Sequence, residues 1–182
     1  MSCYEVTRPF PWSLKRLAPD GSFAGYASRF GVTDAQGDRV LPGAFQASLK
    51  RWAGLGHWPP FLWQHDMAEP IGRLDLVAED EQGLRVEGRL SLETARGRDA
   101  VALLRLGALD GLSIGYSTVA AGIAGDGARL LKTVELHEIS LVTLPANEAA
   151  RVDWVKSAGP AAAASADSIL ANLRRAAAAL RS

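Results

Sequence analysis

Thirteen serines and three histidines lie among the 182 residues, together with 20 aspartates and glutamates. A serine hydroxyl becomes a useful nucleophile only beside a base, and the base in turn needs a group that fixes its tautomer. Ser113 stands out because Gly111-Leu112-Ser113-Ile114-Gly115 matches G-x-S-x-G. That pattern suggests the strand-to-helix elbow of α/β-hydrolases, but the following Tyr116-Ser117-Thr118-Val119 favours strand. The hydrolase order would also require His137 as base, too soon after the serine for the intervening strands. If 111–119 is a strand, alternation places Leu112, Ile114 and Tyr116 on one face and Ser113, Gly115 and Ser117 on the other. The second face is built of small residues, which lets another backbone approach closely.

His65 ends the apolar run Phe61-Leu62-Trp63, so a buried strand can carry its ring, whereas His57 sits in a Gly-Trp-Pro loop. For the third group, Glu135-Leu136-His137-Glu138-Ile139-Ser140 offers two carboxylates and a histidine. Regular alternation groups Glu138 with Ser140, and Glu135 with His137 and Ile139, so either Glu138 or His137 addresses a given site but not both. A carboxylate among Leu136, Ile139, Leu141 and Val142 is costly to bury alone, and an imidazolium would compensate it. The three histidines with Asp66 lack the tight spacing of zinc motifs, so no metal is expected.

The elements that position these groups are legible as patterns. Ser22–Phe30 reads as a strand and 32–42 as a turn-rich loop. Gly43–Trp52 has helical spacing at Phe45, Leu49 and Trp52. Phe61–Asp66 reads as a short strand. Ile71–Glu79 and Leu84–Leu92 form a hairpin around Glu81-Gln82-Gly83, and Thr94–Leu109 is a helix with Val101, Leu104 and Leu109 inward. Gly111–Ala121 and Arg129–Leu144 are strands joined by a Gly-rich turn. Residues 1–156 form the body, and the Ala-rich segment 157–182 is expected to be a flexible tail with a short conditional helix. Lys+Arg and Asp+Glu both number 20, which lacks the basic excess of a nucleic-acid binder. Cys3 is the only cysteine, which fits a reducing compartment. Neither a secretory signal nor a membrane-spanning run is read from the chain.

Six segments, in this order, carry a resemblance: GYASRF from Gly25, DRVLPGAF from Asp38, LWQHD from Leu62, PIG from Pro70, GLSIGY from Gly111 and EISLVTLPAN from Glu138. Together they resemble the prohead (capsid-maturation) proteases of tailed bacteriophages and gene transfer agents, distant relatives of the herpesvirus assemblins. The resemblance implies a mainly β fold with helices (α+β), an assemblin-like β-barrel core surrounded by helices. It implies His65 as general base, Ser113 as nucleophile and Glu138 as orienting acid. The assemblins use a histidine as third member, which keeps His137 in consideration. The implied activity is a serine endopeptidase without cofactor, acting in the cytoplasm of a bacterial host inside the immature shell. Its implied substrates are the major capsid protein and a scaffolding segment, with self-cleavage and room for a homodimer. The alternative is a catalytically idle capsid-assembly or scaffold protein on the same fold; intact His65, Ser113 and Glu138 favour the active form.

Overall fold

The computed structural model describes residues 20–153. The ends of the body at 1–19 and 154–156, and the Ala-rich tail 157–182, lie outside the described residues. The chain runs β1 (Ser22–Arg29), β2 (Asp38–Val40), α1 (Gln46–Gly54), β3 (Phe61–Trp63), β4 (Asp66–Glu79) and β5 (Gly83–Leu90). It continues through α2 (Ala95–Leu106), β6 (Gly111–Ile123), β7 (Arg129–Val142) and β8 (Val152–Asp153). The strands form one sheet in the order β2-β7-β3-β4-β5-β1-β8, with β6 paired to β7. The sheet curls back on itself. Gly111 bridges Arg151, the Leu112 N–H donates to the Ala150 carbonyl and the Val152 N–H donates to that of Asp110. The start of β6 thus meets the segment that pairs with β1, and the mainly β fold expected from the sequence is the one adopted.

Side chains from both halves of the curl fill its interior. Phe23 of β1 stacks on Phe61 of β3 with ring centroids 4.7 Å apart, beside Phe45, Ile71, Leu84, Leu112, Leu136, Ile139 and Leu141. Each such side chain contributes roughly 1.5–3 kcal/mol by leaving water, which explains how a sheet this curved holds without a disulfide.

The two helices differ in what they bury. α2 is capped by Thr94, whose hydroxyl accepts from the Gly97 N–H, and stopped by left-handed Gly107. Its Val101 and Leu104 are buried as the spacing predicts, with Leu109 just beyond the helix. α1 buries only Ser48. Its place is the edge of β7, which pairs in parallel with β2 at Arg129–Leu131 and with β3 at Ile139–Leu141. Between those stretches β7 meets no strand on that side among the described residues, and α1 stands in the gap.

Three sequence expectations need correction. The loop at 32–42 contains β2, a strand too short to carry a periodic signal. The strand at Phe61–Asp66 stops at Trp63, because Gln64 and His65 turn left-handed with φ of 51° and 65°. After that turn β4 starts at Asp66, five residues earlier than expected, and absorbs Pro70 near a register shift against β3.

Candidate active site

The left-handed turn that carries His65 is held from several sides. Two consecutive non-glycine residues at positive φ are strained by roughly 1–3 kcal/mol each, so the surroundings must enforce them. The Gln64 N–H donates to the Leu141 carbonyl at 3.0 Å, and the Gln64 amide exchanges hydrogen bonds with Thr143, its Nε2 donating to Oγ1 at 2.9 Å. The His65 N–H donates to Ser140 Oγ at 3.1 Å. The imidazole is thereby fixed above the end of β7, half exposed.

Glu138 meets it there. Its Oε1 lies 2.6 Å from His65 Nδ1, and its side chain is only 6% exposed, so this is a desolvated contact. Ser140 donates its hydroxyl to Oε2, which occupies the second carboxylate oxygen. With Nδ1–H donating to the carboxylate, Nε2 keeps its lone pair and can accept a proton. The Glu138 carboxylate raises the His65 pKa above its ordinary 6.5, through the hydrogen bond first and charge attraction second, while partial burial opposes it. Ser140 received no role from the sequence, although period two had already put it beside Glu138.

The pairing of β6 with β7 explains how Glu138 reaches this face. Gly115 pairs with Glu138 and Tyr116 with Leu136, which leaves His137 as an extra residue in a β-bulge. Leu136 and Ile139 both enter the core in consequence. Both residues between them turn outward: Glu138 to His65, and His137 to Ser117 Oγ, 2.7 Å from its Nε2. The grouping of His137 with Ile139 on the face opposite Glu138 therefore fails, although only Glu138 of the two meets His65. Regular alternation does not survive an inserted residue.

Ser113 sits directly opposite Ser140 in the β6–β7 register, so its side chain shares the face of Ser140 and Glu138. It is largely buried, at 8% exposure, and lines a cavity of about 380 Å³ together with His65. No hydrogen bond joins its hydroxyl to the ring here; such contacts commonly tighten only in the substrate complex. The two glycines around it are packing residues on a strand. A Cβ at Gly115 would lie 2.3 Å from Glu138 Oε1, and one at Gly111 would lie 2.6 Å from the Val142 carbonyl oxygen. The G-x-S-x-G match owes nothing to an elbow.

The cavity wall rests on a buried charge. Asp38, 1% exposed, accepts from Arg129 Nε at 2.6 Å and from the Tyr116 hydroxyl at 2.7 Å. The Arg129 guanidinium holds its carboxyl below the usual range, while burial and then Asp38 push the Tyr116 phenol well above its own. Tyr116 lines the cavity, so β2 braces it from behind. On the opposite rim, Asn147 Nδ2 donates to the Arg29 carbonyl at 2.9 Å and ties the loop after β7 to β1. His57 lies elsewhere, edge-on to Trp52, so the three histidines do not converge.

The curled, mainly β sheet with its two helices is an assemblin-like protease fold. The bacteriophage T4 capsid assembly protease superposes with a TM-score of 0.53 at 11% identity, over 66% of this chain and 81% of that one. KSHV protease does so with a TM-score of 0.50 at 12% identity, over 75% and 65%. The family model for Caudovirus prohead serine proteases matches residues 13–164, and the chain belongs to that family. The prohead protease of Enterobacteria phage HK97 is 39% identical over 145 residues, 75% of this chain and 61% of that protein. The capsid polyprotein of Pseudomonas phage PAJU2 is 34% identical over 105 residues, 54% of this chain. The chain therefore spans 61% of the HK97 relative's length and 16% of the PAJU2 polyprotein's.

Proposed function

We propose that the chain is a serine endopeptidase of prohead maturation, with Ser113 as nucleophile, His65 as general base and Glu138 as orienting acid. One observation carries the reading: the buried Glu138 carboxylate grips His65 Nδ1 beside a cavity that Ser113 also lines. His65 Nε2 takes the Ser113 proton as the hydroxyl attacks a peptide carbonyl. The imidazolium then protonates the leaving amine, and water activated by the same nitrogen releases the acyl group. Capsid-protein arms and a scaffolding segment are the proposed substrates, cut inside the immature shell, with self-cleavage of this chain. The family and the HK97 relative support this context. The test is co-expression with a capsid protein bearing its scaffolding segment. A shortened product is expected with the wild-type chain and none with Ser113→Ala; identical processing by both would sink the assignment.

Two further results are expected. Only neutral His65 accepts a proton, so kcat/KM should rise with pH through a limb above 6.5, because Glu138 favours the charged ring. The contact has the opposite sense for stability: its contribution is complete below 6.5 and fades as pH climbs through the folded-state value. A limb at or below 6.5 in steady-state assays would contradict the coupling. Gly115→Ala is expected to lower kcat by about 100-fold, since its methyl group would occupy the space of the Glu138 carboxylate. Wild-type turnover by a folded Gly115→Ala protein would show that Glu138 need not lie over that glycine.

A further inference from the structure

The bulge at His137 is what turns Glu138 outward, and it lies where β7 has no neighbouring strand on one side. Along that side the Val134 N–H donates to the Ala44 carbonyl and the Ile139 N–H to that of Pro60. Between them both backbone polar groups of Leu136, the residue before the bulge, are bound by α1. Ser48 Oγ accepts from the Leu136 N–H at 2.9 Å, and Trp52 Nε1 donates to the Leu136 carbonyl at 2.9 Å. Arg51 adds an ion pair to Glu135. Ser48 is fully buried, an unusual choice for the one buried position of a helix, and its contacts are with Glu135 and Leu136.

We infer that Ser48 and Trp52 are positioning residues for the reaction: by holding Leu136 from α1 they fix the bulge, and so aim Glu138 at His65. The inference rests on the site proposed above. The physical reason is register. An inserted residue can slide along a strand whose outer edge is unpaired, and each step exchanges which side chain faces outward. Binding both the donor and the acceptor of one residue removes that freedom, because a slide of one position would leave a buried N–H without a partner. An ordinary apolar contact from α1 would secure the helix without choosing a register.

The test reads His65 directly, by NMR titration of its ring in the full-length chain, with His65→Gln assigning the signal among the three histidines. Three variants are compared: Ser48→Ala, Trp52→Phe, which keeps an aromatic ring but lacks the indole N–H, and Leu49→Ala. Leu49 packs against the core from the same helix but its side chain makes no hydrogen bond to the Leu136 backbone, which Ser48 and Trp52 hold, so it controls for loss of stability alone. In Ser48→Ala and Trp52→Phe the His65 midpoint is expected to fall towards 6.5 as Glu138 leaves Nδ1, with kcat reduced about tenfold or more and KM held. Leu49→Ala should melt earlier with an unchanged His65 midpoint. If Ser48→Ala does not fold, Trp52→Phe decides. A wild-type titration in Trp52→Phe, or an equal shift in Leu49→Ala, would overturn the inference. A wild-type His65 already titrating at or below 6.5 would overturn the underlying site instead, so the two failures are distinguishable.

Discussion

Ser113→Ala is expected to lower kcat for peptide cleavage by about 10⁵- to 10⁶-fold while the protein stays folded. The loss is large because the reaction has one covalent path. Without the Ser113 hydroxyl, and with that of Ser140 already donated to Glu138, His65 is left to activate water, which is not held against the scissile carbonyl. Stability should change little, since Ser113 already lines a cavity and its hydroxyl makes no hydrogen bond among the described residues. Labelling adds a second readout. A fluorophosphonate should attach to wild-type protein at Ser113 and to neither Ser113→Ala nor His65→Gln. Labelling at another of the serines, or capsid processing that survives Ser113→Ala, would move the nucleophile elsewhere.

Glu138→Gln should be nearly as severe, about 10⁴-fold in kcat, although it changes only one atom. The Ser140 hydroxyl donates to Oε2, and in the amide it would hold the remaining oxygen at that position. The amide NH₂ would then face His65 Nδ1. That nitrogen would have to accept, which moves the ring proton to Nε2, where the Ser113 proton should go. The acidic limb of kcat/KM should also drop towards 6.5, because the charge that raised it is gone. His137→Gln, whose ring rests on Ser117, should leave turnover close to normal. Near-normal activity in Glu138→Gln would reassign the acid to Glu135 or His137.

Much of the fold was legible because period and punctuation agreed. Thr94 opens a helix with Val101 and Leu104 inward, although left-handed Gly107 ends it before the expected Leu109, and Gly83 opens the second strand of the β4–β5 hairpin. The face shared by Ser113 and Gly115 followed from simple alternation, since β6 is regular up to Gly115. What the sequence hid came from the places where regularity breaks. β2 is three residues long and exists because Asp38 is locked by Arg129 from a strand 91 residues away. The left-handed turn at Gln64–His65 has no glycine to announce it and depends on Thr143, Leu141 and Ser140. The bulge at His137 depends on a helix whose inward side chain is a serine, a residue that hydrophobic periodicity discards. Each of these is a tertiary contact imposing a local geometry that neighbouring residues do not prefer.

Because Leu136 and Ile139 both point inward, an imidazole and a carboxylate stand next to each other on a single outer surface. The carboxylate meets His65, and the imidazole beside it meets Ser117. A lineage that exchanged an acidic partner for a basic one would not have to invent a strand or move a loop; relocating one surplus residue within an existing strand supplies the alternative. The chemistry of the third position is, in that sense, more easily inherited with variation than the scaffold that presents it.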